Sequence, residues 1–266
     1  MDETTLNLDV ISRQLLARIR GLHGAGVDWL PKEAPLPVVE STPIVATSES
    51  LPADSSFDIV EQPQSEAALS LEERLAALQA LAVEVKGCTR CAELCRSRTQ
   101  TVFADGPPGA EVCFLGEAPG ADEDASGTPF VGAAGQLLNR ILAACGFRRD
   151  EVYICNVVKC RPPGNRTPLA DEADNCRAFL VKQLELAAPK YIVALGGCAA
   201  TNLLQTTLSI GKLRGRFHDY KGIPVVVTYH PAYLLPHKHP EKKGDVWNDM
   251  KMLLEKMGRP IPVRSG

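Results

Sequence analysis

The chain has 266 residues, 45% of them hydrophobic and 23% charged, with a formal net charge of −3. That balance suits one substantial globular core with extra segments and argues against a fibrous or wholly disordered chain. No apolar run is long enough to span a bilayer and the start does not read as a signal peptide, so a cytoplasmic protein with no membrane attachment is expected. The charge is uneven: residues 1–87 hold 6 Lys/Arg against 14 Asp/Glu, and residues 88–266 hold 23 against 18. A mildly basic body permits a polyanionic partner without requiring one.

Leu8, Ile11, Leu15, Ile19 and Leu22 recur at the three-to-four spacing of an amphipathic helix, so residues 1–30 read as a helical segment. A helix over residues 6–22 could serve a protein partner or be an inert tail. Residues 31–69 are rich in Pro, Ser, Glu and Ala and cannot bury enough surface to offset their ordering entropy, which predicts a disordered linker. Ser70-Leu71-Glu72-Glu73 is a capping box, and Leu75, Leu78, Leu81 and Val85 carry a helix to Gly87. A folded domain over residues 70–260 follows.

Beyond that helix, apolar strands are predicted at Val112–Leu115, Val152–Val158, Tyr191–Leu195 and Val225–Tyr229. Helical segments intervene at Ala133–Cys145, Pro168–Ala187 and Ala199–Leu204. Short apolar runs separated by helices imply parallel strands buried on both faces, hence a three-layer α/β/α domain with a mainly parallel sheet.

Nine cysteines are many for a reducing compartment, and an odd number cannot form a closed disulfide set. Cys113, Cys145, Cys155 and Cys198 sit in apolar contexts and read as small buried hydrophobes. Cys88, Cys91, Cys95, Cys160 and Cys176 have polar, Arg-rich neighbours. Cys88 and Cys91 have the two-residue gap that turns two thiolates onto one centre, and Cys160 and Cys176 flank a Pro/Gly-rich loop. Four thiolates without a nearby histidine suit zinc or an iron–sulfur cluster equally, with Cys95 a spare ligand.

The run Gly116-Glu117-Ala118-Pro119-Gly120 ends a predicted strand and is followed by Gly127-Thr128-Pro129-Phe130-Val131-Gly132. It lacks the spacing of either common phosphate-binding loop, so it is a plain turn or a pocket floor. The pocket reading is favoured by two more polar residues at strand ends: Asn156 within an apolar strand, and His230 held by Pro231.

Taken in order with Asn156-Val157-Val158-Lys159-Cys160-Arg161-Pro162-Pro163 and His230-Pro231-Ala232-Tyr233-Leu234-Leu235, these blocks resemble the family 4 uracil-DNA glycosylases. The resemblance spans about residues 85–257 and leaves residues 1–69 outside. It implies a DNA-repair hydrolase acting on DNA that contains uracil, single- or double-stranded; a monomer is expected. It also implies a structural four-iron four-sulfur cluster on Cys88, Cys91, Cys160 and Cys176, with Cys95 free. Phe130 would stack on the flipped base, Asn156 would read its edge, and His230 would bond its O2, with the Glu117 and Ala118 amides in the same pocket.

Ala118 stands where better-studied relatives of the superfamily carry a water-orienting aspartate. Glu117 is therefore the expected catalytic carboxylate, with Glu123 the second candidate. Leu234 or Leu235 is the expected duplex wedge, and Lys159 and Arg161, with Arg166, Lys238, Lys242 and Lys243, the expected phosphate contacts. Two rivals remain: a uracil-DNA binder without turnover, and a polymerase-associated metal module. The related subgroup that traps DNA covalently has a histidine after the Asn strand, whereas Arg161–Pro168 contains none.

Overall fold

The computed structural model describes residues 69–262, so the amphipathic segment and most of the predicted linker lie outside the described residues. The first helix, α1 (Leu71–Lys86), begins at the capping box: the Ser70 side chain accepts from the Glu73 amide, and Glu73 accepts from the Ser70 amide at 2.8 Å. Leu78, Leu81 and Val85 bury one stripe of α1 against Phe179 and Leu186. Leu75, expected on the same stripe, is exposed. A short helix α2 (Ala92–Ser97) follows the Cys88–Cys91 pair.

The centre is a six-stranded sheet of β1 (Ala104–Asp105), β2 (Val112–Gly116), β3 (Tyr153–Asn156), β4 (Tyr191–Leu195), β5 (Phe217–Tyr220) and β6 (Ile223–Thr228). Its order is β1-β3-β2-β4-β6-β5. The four inner strands are parallel, and β1 and β5 are antiparallel edges. The two edges escape sequence reading because they are short and only half-buried, so neither carries the apolar run that marks the inner strands.

Alternation along the inner strands divides the core. Cys113, Leu115, Cys155, Ile192, Ala194, Val225 and Val227 face one layer, where α5 (Ala170–Ala187) and α6 (Gly197–Leu204) pack. Val112, Phe114, Ile154, Val193, Leu195 and Val226 face the other, where α4 (Ala133–Ala144) and α8 (Lys243–Lys256) pack. This is the three-layer α/β/α arrangement that strands buried on both faces require. Two smaller helices, α3 (Ala121–Ser126) and α7 (Ile210–Leu213), sit in the connections.

The predicted strand Val152–Val158 is longer than the real one, which stops at Asn156. The difference matters. Asn156 pairs with Gly116 at the carboxyl end of the sheet, and the turn beyond it is stitched by Val157 and Val158 amides donating to the Gly116 and Glu117 carbonyls. Among the described residues no helix is long and apolar enough to cross a membrane.

Candidate active site

The carboxyl ends of β2, β3 and β6 converge on one cleft of about 590 Å³. Its walls include Glu117, Glu123, Phe130, Asn156, Thr167 and His230, with Ala118 and Gly120 in its floor. In open parallel sheets this edge is where loops diverge and leave room for a ligand.

Asn156 is 1% exposed, and its Oδ1 is the one buried side-chain N or O atom among the described residues without a hydrogen-bond partner. Such an acceptor costs about 1–3 kcal/mol unless a ligand fills its valence. Gly116 permits the arrangement: a Cβ there would lie 2.3 Å from Asn156 Oδ1 and 2.5 Å from Phe130 Cζ.

Phe130 has a φ of 54°, a left-handed conformation that a non-glycine residue holds only when its surroundings enforce it. Arg149 enforces it here, donating to the Phe130 carbonyl at 3.0 Å and the Pro129 carbonyl at 2.6 Å while pairing with Asp105. The Phe130 and His230 rings lie 5.5 Å apart.

His230 Nδ1 accepts from the Ala232 amide at 3.1 Å, which leaves Nε2 as the protonated nitrogen of the neutral ring. Burial, with Lys238 adding repulsion, holds its pKa down to about 4, so the ring is neutral near pH 7. At the end of β4, Gly196 makes room, since a Cβ there would touch His230 Cβ at 3.0 Å with φ at 94°.

Burial raises the Glu117 pKa above the usual carboxylate range, and hydrogen bonds from Thr167 and Cys198 oppose the rise. One oxygen of Glu123 accepts from the Val131 and Gly132 amides, both at 2.9 Å, and the other from the Gly120 amide at 3.0 Å. Its carboxylate braces the glycine turn against the Phe130 loop, with both oxygens engaged by backbone donors.

The cysteine set lies beside this edge. Arg98 donates to Cys160 Sγ at 2.9 Å, and Asn175 donates to Cys91 Sγ at 3.6 Å. Burial raises the Cys91, Cys160 and Cys176 thiols, while Asn175, Arg98 and the Lys159 backbone respectively draw them back. Cys95 donates to the Cys88 carbonyl instead. Cys113, Cys145 and Cys155 are buried as expected, whereas Cys198 is only partly so.

The profile of the uracil DNA glycosylase superfamily matches residues 103–251. A type-4 uracil-DNA glycosylase of Thermotoga maritima is 43% identical over 176 residues, covering 65% of this chain and 91% of the relative. The type-4 enzyme of Archaeoglobus fulgidus is 41% identical over 188 residues, covering 68% and 93%. The chain belongs to the type-4 uracil-DNA glycosylases.

Within this uracil-DNA glycosylase fold two expected DNA contacts prove to be interior residues. Lys159 is 0% exposed, with Nζ donating to the Asn156 carbonyl and to Gln183, so it cannot meet a phosphate. Leu234 is 0% exposed in the core layer under α4 and α8, so it cannot wedge into a duplex; Leu235, half-buried, keeps that possibility. Arg161 reaches Asn165 at the rim, and Arg166 is held by Glu172 and Glu93. Lys238 lines the cleft, and Lys242 lies 3.5 Å from Asp245.

Sequence reading missed Arg149, Thr167, Cys198, Gly135 and Gly196. A positive φ leaves no mark on a glycine's neighbours, and Arg149 reaches the Phe130 loop only through the fold. Gly135 had a faint signal, a glycine at the start of a helix; a Cβ there would overlap the Phe130 carbonyl.

Proposed function

We propose that this chain removes uracil from DNA by hydrolysing its N-glycosidic bond, leaving an abasic site and free uracil. The single observation that carries the reading is the orphaned Asn156 Oδ1 in the cleft floor. Its acceptor suits uracil N3–H, and its amide N–H suits a neighbouring uracil carbonyl oxygen; cytosine reverses that pattern. The base must leave the stack to reach this depth, at a cost of about a few kcal/mol. Phe130 supplies the flat wall against which the flipped ring stacks.

His230, neutral with its proton on Nε2, donates to uracil O2, where negative charge gathers as the bond breaks. A donor preorganised in this way is worth about 2.7–4 kcal/mol. Ala118 holds no carboxylate, so Glu117 orients the attacking water or stabilises the sugar cation. The mechanism then leans on leaving-group stabilisation more than on a strong base.

The cysteine set fits a four-iron four-sulfur cluster on Cys88, Cys91, Cys160 and Cys176. Among the described residues no three His, Cys, Asp or Glu side chains converge as a single zinc ion needs. A cubane would take one thiolate per iron, so its four cysteines would surround one larger centre, their sulfurs farther apart than a single zinc ion allows. The N–H donors on Cys91, Cys160 and Cys176 favour the thiolate form such a cluster requires. When bound, the group ties the loop before α2 to β3 and α5. It does no redox work in this reading.

Arg161, Lys238 and Lys243 are the proposed phosphate contacts, with Leu235 as the wedge. Incubation with a uracil-containing oligonucleotide should release free uracil on single- and double-stranded substrates. Tight binding without release, or a protein–DNA adduct that survives heating in denaturant, would instead establish a binder.

A further inference from the structure

Lys159 is fully enclosed, and its ammonium has an uncommon set of partners. Nζ donates to the Asn156 carbonyl at 2.6 Å and to Gln183 Oε1 at 2.5 Å. Gln183, also 0% exposed, is fixed by donating to the Phe103 carbonyl and the Tyr153 hydroxyl, both at 3.0 Å. The Phe103 ring lies 6.0 Å from Nζ. Among the ion pairs of the described residues none includes Lys159. A buried ammonium with neutral partners alone is unfavourable unless an anion lies nearby.

The cysteine set provides that anion. Cys160 is the next residue in the chain, and Cys176 lies two turns before Gln183 among the buried residues of the same helix, α5. Four thiolates outnumber the charge of an iron–sulfur core, so the whole group is negative. The Cys113 and Cys155 sulfurs, 4.0 Å apart and fully buried, also lie within reach of the Lys159 charge.

We propose that Lys159 is a positioning residue joining the two halves of the molecule's chemistry: its ammonium, balanced by the cysteine-bound cluster, clamps the Asn156 carbonyl and so holds the uracil-reading amide. The clamp closes the turn from Asn156 to Cys160, a four-residue covalent link between the reading amide and a cluster ligand. A charge four residues from the reading amide thereby sets how rigidly that amide is presented. The inference rests on the glycosylase reading and on the cluster ligands proposed above.

The test uses the full chain and two readouts, iron per protein and uracil release. K159M, neutral and close in length, should retain less than half the wild-type iron and lose about tenfold or more in kcat/KM. K159R keeps the cation and should retain more iron than K159M. C176S should raise KM for the uracil oligonucleotide although Cys176 does not line the cleft. The double variant K159M/C176S should be no worse than the weaker single, because both break one linkage.

Full iron and unchanged kinetics in K159M would overturn the proposal, as would effects of K159M and C176S that multiply. If K159M fails to fold, equal iron loss in folded K159R overturns it instead. C155A decides the counter-charge: iron and KM near wild type support the cluster, whereas a match to K159M assigns the role to Cys155 and overturns it. Wild type that binds iron yet releases no uracil defeats the glycosylase reading and leaves the iron result standing.

Discussion

Gly116 and Asn156 are register partners on adjacent parallel strands, and the missing side chain of one is the space occupied by the amide of the other. The pocket floor is thus made by subtraction. G116A would press into Asn156 and Phe130, the two groups proposed to meet the base. A fall in kcat/KM of about 10²-fold is expected, with a stability cost of about 1–3 kcal/mol. Steady-state kinetics and thermal melts measure both.

Asn156 Oδ1 lacks a partner, so the chain carries an unfavourable buried acceptor at the group proposed to read the base. N156L replaces it with an apolar side chain of similar size. Stability should hold or rise by about 1 kcal/mol, because the unmet acceptor disappears. Uracil release should fall by about 10²–10³-fold. A variant both unstable and inactive would contradict this account of the orphan atom.

His230 titrates at about 4 in the folded chain against an ordinary 6.5. Between those values the unfolded chain binds more protons than the folded one, so stability is flat above about pH 6.5 and declines toward pH 4. H230N should lack this part of the decline in melts compared across pH. The same variant should lose about 10²–10³-fold in rate at neutral pH, as removal of a preorganised donor does.

Glu117 is raised by burial and held down in part by Thr167 and Cys198. If its carboxylate is the working form, the rate falls as pH drops through its pKa. T167V and C198A each remove one restraint and should move the acid limb of the single-turnover rate to higher pH. The plateau above neutral pH should change little. E117Q should remove that limb and slow the reaction throughout.

R149A tests the support of the Phe130 loop. Arg149 holds two consecutive carbonyls there, and losing it frees Phe130 to leave its positive φ. KM should rise more than kcat falls, since the ring is proposed to receive the base. A unit effect on kcat alone would place Arg149 elsewhere in the reaction.

That Asn156 and His230 would meet at the strand ends was legible locally, as polar residues in or just after apolar runs, whereas Phe130 was singled out through the family resemblance; all three line the cleft. The spacing of Cys88 and Cys91 suggested a metal centre, and the full ligand set came from the family resemblance. Lys159 and Leu234 were misplaced for one shared reason. Both sit in segments whose composition looks like surface, and the direction of a side chain after a strand end depends on what packs behind it. Glu123 was placed second to Glu117 by proximity in sequence, which says nothing about the backbone amides that occupy its oxygens.

By itself the sequence determined the layered α/β class, the strand ends that would carry chemistry and the residue types gathered there, since periodicity and turn chemistry are local properties of the chain. Only the tertiary structure decided which of those residues face the cleft. It placed Lys159 inside, left Asn156 Oδ1 unpaired, chose the His230 tautomer through the Ala232 amide, and brought Arg149, Thr167 and Cys198 to the site. Those outcomes follow from burial and hydrogen bonding between segments far apart in the chain, where no local pattern records the partner.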